Sequence, residues 1–206
     1  MKCKIGDVCV IYKLSIMPMA GECYHLYSLP AFDNNMTPEC IMGESIKSSK
    51  FVVQPNTILF NKLNVRFKRI WNIDFQPLKN SVCSTEFIPL CPTNCDQSYL
   101  YYVLTGNEFT MVMESQRTGT SSSHQRITAE SLLDYEIDLP LLQEQRTIAD
   151  TLSALDNKIA LNTTINHHLS GSKPETDNSP DIRWGKRVSR RVARRADSFV
   201  LLRMAS

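Results

Sequence analysis

The chain of 206 residues contains no apolar run approaching the roughly 20 residues of a membrane-spanning helix. Its opening, Met-Lys-Cys-Lys followed by Ile-Gly-Asp, has no apolar signal core, so no export signal is expected. The seven glycines form neither a G-x-x-x-x-G-K-[ST] loop for a triphosphate nor a G-x-G-x-x-G turn for a dinucleotide. The Asn/Asp-Pro-Pro-aromatic tetrapeptide that stacks a flipped base in amino-methyltransferases is missing, as is an Asp…Glu-x-Lys set for a nuclease magnesium. Of the seven cysteines, Cys91 and Cys95 form C-x3-C with no second pair, which argues against zinc. Cysteines scattered among apolar neighbours suit reduced thiols packed as small hydrophobes in a cytoplasm. His25, His124, His167 and His168 could each serve a cysteine nucleophile as base, but no surrounding sequence fixes such a pair. These absences leave little room for a catalyst.

The overall charge of +2 hides an uneven distribution. Residues 171–206 hold nine Lys/Arg and four Asp/Glu, and residues 1–170 hold 14 and 17, a net of −3. A nucleic-acid role for the body must therefore come from local basic clusters, not from a global positive field.

Residues 1–140 mix two periodicities. "ECYHLYSL", "KFVV", "NTILF" and "TEFIPL" carry the aromatic and β-branched residues of short strands, with "FDNN", "QPN" and "LKNSVC" as turns. "QSYLYYVLTGNEFTMVMESQ" predicts one helix or two, broken near Gly106. "TAESLLDYEIDLP" predicts a helical turn capped by Thr128, with Glu130 near its positive end, then a short strand running to Pro140.

Beyond Pro140 one long helix is expected, over residues 141–169. Ile148, Leu152, Leu155 and Ile159 recur at spacings of four, three and four, and the register continues through Asn162 and Asn166 to Leu169. That is a narrow a/d seam with asparagine at two of its positions. Such a helix either packs on its own domain or pairs with another helix, and the narrow seam and its asparagines favour the second. Residues 170–206 follow with linker composition and then clustered arginines. They read as a disordered tail, or as an arm for phosphate or a membrane surface.

Two clusters suit binding. In "FNKLNVRFKRIW", residues 60–71, Lys62, Asn64, Arg66 and Lys68 alternate with Leu63, Val65 and Phe67 before Arg69 and Trp71. In a strand, that alternation would line up donors on one face, either for phosphates with Asn64 on a base edge or simply for solvent. In "RTGTSSSHQRIT", residues 117–128, a polar stretch with Arg117, Thr120 and Ser122 as further DNA-binding candidates ends in His124, Gln125 and Arg126, which supply the donors and acceptors used on base edges, unless the segment is an ordinary flexible loop.

These stretches together resemble the specificity subunit of bacterial type I restriction-modification enzymes. The likeness runs from about residue 4 to 167, through "GDV", "YSLPAFDNN", "SKFVVQPNTILFNKLNVRFKRIW", "STEFIPL" and "SYLYYVLTGNEF". Its most specific part is P-x-x-x-E-Q-x-x-I-A-x-x-L-x-x-[LI]-D-x-x-I, from Pro140 to Ile159. The resemblance implies an α+β fold, with a target recognition domain followed by a conserved spacer helix. It implies a cytoplasmic bacterial protein that catalyses nothing, reads one half of a bipartite target in double-stranded DNA, and docks methyltransferase subunits. S-adenosylmethionine, ATP and magnesium would be bound by partner subunits, including a motor/nuclease subunit joined through the complex. The family's subunit carries two such domains and two helices, whereas one of each is legible here, and residues 171–206 resemble neither. The expectation is self-pairing, or pairing with another half-subunit, through the seam. Two alternatives stand beside it: a truncated, inactive remnant that binds methyltransferase without specifying a site, and an independent hydrolase using His124.

Overall fold

The computed structural model describes residues 1–34, 36–116 and 126–170, the last four by backbone alone. The chain opens with β1 (Lys2–Lys4), the single-turn helix α1 (Ile5–Val8), β2 (Cys9–Ile11) and β3 (Ser15–Ile16). It continues through β4 (Cys23–Tyr27), helix α2 (Leu29–Asp33), β5 (Glu39–Met42) and β6 (Lys50–Val52). Next come β7 (Thr57–Asn61), β8 (Ile70–Ile73), β9 (Ser81–Cys83) and β10 (Phe87–Pro92). Helices α3 (Gln97–Thr105), α4 (Asn107–Ser115) and α5 (Ala129–Leu133), strand β11 (Glu136–Asp138) and the long helix α6 (Leu142–Ser170) complete it.

Among the described residues the strands form three sheets. An antiparallel sheet has the order β2-β10-β7-β8. A second, β3-β6-β9-β4-β5, contains one parallel pair, β4 with β9. The third is the pair of β1 with β11. The α+β expectation holds. The β1–β11 pair ties the chain's first residues to those just before α6, and the Leu139 amide adds a hydrogen bond to the Met1 carbonyl at 2.7 Å.

β7 is central, and its sequence says why. All of "TILFN" is buried, so both faces of the strand must be covered. Ile58 and Phe60 point to one face and join Leu100, Leu104, Phe109 and Met113 from the two central helices. Leu59 points the other way, to Tyr27, Phe32, Trp71 and Ile73. The helical stretch is indeed broken at Gly106, which is extended and serves as C-cap of α3 and N-cap of α4. Thr128 caps α5 as expected, its hydroxyl accepting from the Ser131 amide at 3.1 Å.

Three expectations need correction. Phe32 and Asp33, read as a turn, end helix α2, where the Ser28 hydroxyl caps the Ala31 amide at 3.0 Å and Pro30 stands in the first turn. Ser81–Cys83, also read as a turn, is a buried strand. Nor are all seven cysteines free thiols, because Cys23 and Cys40 form a disulfide between neighbouring strands. Cys23 pairs with Met42 in the register, so Cys40 lies diagonal to it on the same face.

The Glu-Gln pair at the head of α6 now has a physical role. Glu144 reaches back to accept from the Leu141 amide at 3.0 Å, covering a donor that a helix start leaves open. Gln145 is buried and makes two bonds. Its Oε1 accepts from the Asp96 amide at 2.8 Å, and its Nε2 donates to the Pro140 carbonyl at 2.8 Å. Gln145→Ala should cost about 2–3 kcal/mol, because it strands both backbone groups away from a partner. Denaturant titration checks this, and a loss near zero would mean water replaces both bonds. The described residues divide into two units between Ala149 and Asp150, with α6 contributing residues to each.

Candidate nucleic-acid interface

Residues 60–71 are not the continuous strand that their alternation suggests. β7 stops at Asn61, a 3-10 turn occupies Val65–Phe67, and β8 begins at Ile70. The row of four donors on one strand face is therefore replaced by a connecting turn. Asn61 clasps its start, its side chain accepting from the Leu63 amide at 2.9 Å and donating to the Leu63 carbonyl. Asn64 and Lys68 flank the 3-10 turn with positive φ of 47° and 44°. Asparagine accepts that conformation readily; lysine does so only with strain, which the surroundings must hold in place.

Those surroundings are polar anchors. The Lys62 ammonium donates to the Thr85 carbonyl at 2.8 Å and lies 3.7 Å from Glu86. Arg69 makes a two-pronged pair with Asp33, at 3.0 and 2.7 Å. Lys68 donates to the side chain of Asn107, the first residue of α4, and burial holds its ammonium below the usual lysine range. Arg66 differs from the rest. It is exposed, its guanidinium lies 4.8 Å from the centre of the Phe67 ring, and among the described residues it has no carboxylate partner.

The second cluster comes to the same place. Arg126 pairs with Leu63 in an isolated antiparallel bridge, and the Ile127 amide donates to the Lys62 carbonyl at 2.9 Å. The Arg126 guanidinium reaches Glu86 at 3.1 Å, so Glu86 receives one cation from each cluster. Two polar stretches some sixty residues apart in sequence thus meet at one edge of the β7–β8 hairpin. Arg117, Thr120, Ser122, His124 and Gln125 lie outside the described residues, as do residues 171–206 expected as a basic tail. Sequence reasoning missed Asp33, Glu86 and Asn107, which set the geometry of the cations, because nothing local marks a distant partner. It also missed Phe67 as a surface group, because a strand alternation would put it on the face opposite the donors.

α6 presents the expected seam unevenly. Ile148, Leu155 and Ile159 are exposed, at 39%, 51% and 54%, Leu152 is half-buried, and Asn162 and Asn166 are exposed. Large aliphatic side chains exposed on successive turns are an unfilled contact surface. No helix among the described residues is long and apolar enough to cross a membrane, and no cluster of His, Cys, Asp or Glu there could hold a metal ion.

Comparison with known proteins agrees with this architecture. Residues 1–170 match the model of the type I restriction modification DNA specificity domain, and the chain belongs to that family. It is a family of specificity domains, not of catalytic ones. The type I restriction enzyme HindI specificity subunit of Haemophilus influenzae is 29% identical over 124 residues, 59% of this chain and 27% of that protein. The crystal structure of the HsdS subunit from Thermoanaerobacter tengcongensis superposes with a TM-score of 0.67 at 19% identity, over 82% of this chain and 45% of that one. The S subunit from M. genitalium gives 0.54 at 18% identity, over 82% and 42%. The chain thus spans less than half the length of each of these relatives, and the likeness to the two solved structures is one of fold.

Proposed function

We propose that this chain reads one half of a bipartite duplex DNA target for a type I restriction-modification complex and docks a methyltransferase subunit. The observation that carries the reading is the meeting of the two polar stretches at Leu63 and Arg126, beside the exposed Arg66. Lys62, Asn64, Arg66, Lys68, Arg69 and Arg126 contribute the described part of the DNA surface; Arg117, Thr120, Ser122, His124 and Gln125 contribute the rest. The chain catalyses nothing. S-adenosylmethionine, ATP and magnesium belong to partner subunits, the motor/nuclease subunit joins through the complex, and the assembly works in the bacterial cytoplasm.

One half-site is too short to be selective, since each correct base pair adds only about 1–3 kcal/mol of discrimination against a genome of competitors. A second recognition domain is needed, and the exposed seam of α6 is the surface through which a second copy, or another half-subunit, supplies it. Two identical copies related by a two-fold axis read an interrupted palindrome. Sequencing modified adenines in cells that express the chain with its methyltransferase tests this. A palindromic bipartite motif is expected. An asymmetric motif would identify a different partner half, and an absence of modification would favour the truncated remnant.

The anchors divide the cations. Arg66→Ala should reduce the slope of log K against log salt by about one, as for the loss of one phosphate contact. Arg69→Ala should leave that slope almost unchanged, since Asp33 already neutralises its charge. Titrations at several salt concentrations measure both, and equal slopes for the two variants would refute the division.

A further inference from the structure

The turn at residues 62–69 holds out an aromatic ring where a solvated loop would carry a polar tip. Phe67 is 38% exposed, and the guanidinium carbons of Arg66 and Arg69 lie 4.8 and 5.0 Å from its ring centre. The ring is held there by a braced backbone. Arg69 is fixed by its two-pronged pair with Asp33, Lys68 by Asn107, and Leu63 by the side chain of Asn61, while Val65 packs against the core. The strain at Lys68, with its positive φ, is stored at the residue that follows the ring. A fixed, partly exposed ring with guanidinium groups over it has the composition used to enter a base step, the ring wedging between bases while Arg66, which no carboxylate of the described residues pairs, faces the adjoining phosphate.

We propose that Phe67 is a stacking wedge that inserts at a base step of the duplex and kinks it, with Arg66 on the neighbouring phosphate and Arg69 as the brace of the ring. The proposal rests on the DNA-binding reading above. It assigns to Phe67 and Arg69 roles that neither phosphate contact nor base-edge reading covers. The occupant is DNA and not a protein surface because the charge beside the ring that no carboxylate of the described residues answers, Arg66, is an exposed cation, whereas the buried centre of a protein interface is depleted of charge.

The test uses the full chain with its methyltransferase subunit and a duplex recovered by that pair from a random-sequence library. The duplex carries a donor and an acceptor dye at its ends. Phe67→Ala should weaken binding about 5- to 150-fold, as loss of one stacked base predicts, and abolish the end-to-end shortening expected with the parent chain. Phe67→Trp should retain both affinity and shortening. Melting curves of the variants should match the parent, since the ring belongs to no core cluster. If Phe67→Ala keeps both affinity and bend, the wedge is refuted and DNA reading stands. Unchanged DNA affinity with lost capture of the methyltransferase would make Phe67 a protein contact instead. Failure of the parent pair to select any duplex would overturn the DNA reading, and the wedge with it.

Discussion

Phe109→Ala should destabilise the recognition domain by about 3–5 kcal/mol, the cost of removing a fully buried aromatic side chain and leaving its cavity behind. Phe109 is 1% exposed. Its ring meets Phe60 edge-to-face at 5.7 Å and Tyr135 at 5.0 Å, so one side chain of α4 holds together the central strand and the segment before β11. Those pairings add to the transfer term, by about 0.5–1.5 kcal/mol each in typical cases. A domain of this size has only about 5–15 kcal/mol to lose. The effect should reach the proposed DNA surface as well, since α4 begins with Asn107, the residue that ties down Lys68 in the turn after β7. Urea titration should show a lower midpoint with an unchanged slope, and Phe109→Leu should recover much of the loss. A midpoint shift worth less than 1 kcal/mol would mean that the rings of Phe60 and Tyr135 close over the gap.

The same packing explains which parts of the fold were legible in advance. "NTILF" announces a strand because its apolar run Ile58–Phe60 lies within five consecutive buried positions, Thr57–Asn61, which leave no exposed face to confuse the pattern. Gly106 announces a break between helices, and Thr128 a cap, because both signals are local. Residues 60–71 misled for an equally physical reason. Their alternation of cation and hydrophobe has the period of a strand, yet Asn61 folds back onto Leu63, and Asn64 and Lys68 take up the left-handed conformation usually left to glycine. No glycine or proline marks that turn. The partners of its cations are more distant still: Glu86 lies 24 residues beyond Lys62, and Asp33 lies 36 before Arg69. A single sequence carries no local trace of such pairings. The Cys23–Cys40 disulfide is hidden in the same way, because it depends on the register of β4 against β5.

Leu155→Asp should abolish self-pairing, if two copies meet along the proposed seam, while leaving the helix and the domain intact. Leu155 is 51% exposed and Ile159, one turn on, is 54% exposed, so neither is a core residue whose loss would unfold the chain. In a two-fold pair every substitution counts twice. Leu155 is already half covered in each copy, so each forfeits about half of the roughly 1.5–3 kcal/mol gained by fully burying a leucine side chain, and each aspartate must also be desolvated against an apolar surface. Even without the desolvation term, about 1.5–3 kcal/mol over the two copies corresponds to pairing weakened roughly 10- to 150-fold. The asparagines give a second, subtler arm. Asn162 and Asn166 occupy seam positions where a polar side chain selects register at a cost in stability. Asn162→Leu should therefore tighten pairing while loosening its register, and the fixed spacing between the two halves of the modified motif should become variable. Sedimentation measures the association, circular dichroism checks that the helix survives, and sequencing of modified adenines reads the spacing. A Leu155→Asp chain that still pairs, or an Asn162→Leu chain with unchanged association and spacing, would place the contact elsewhere on the molecule.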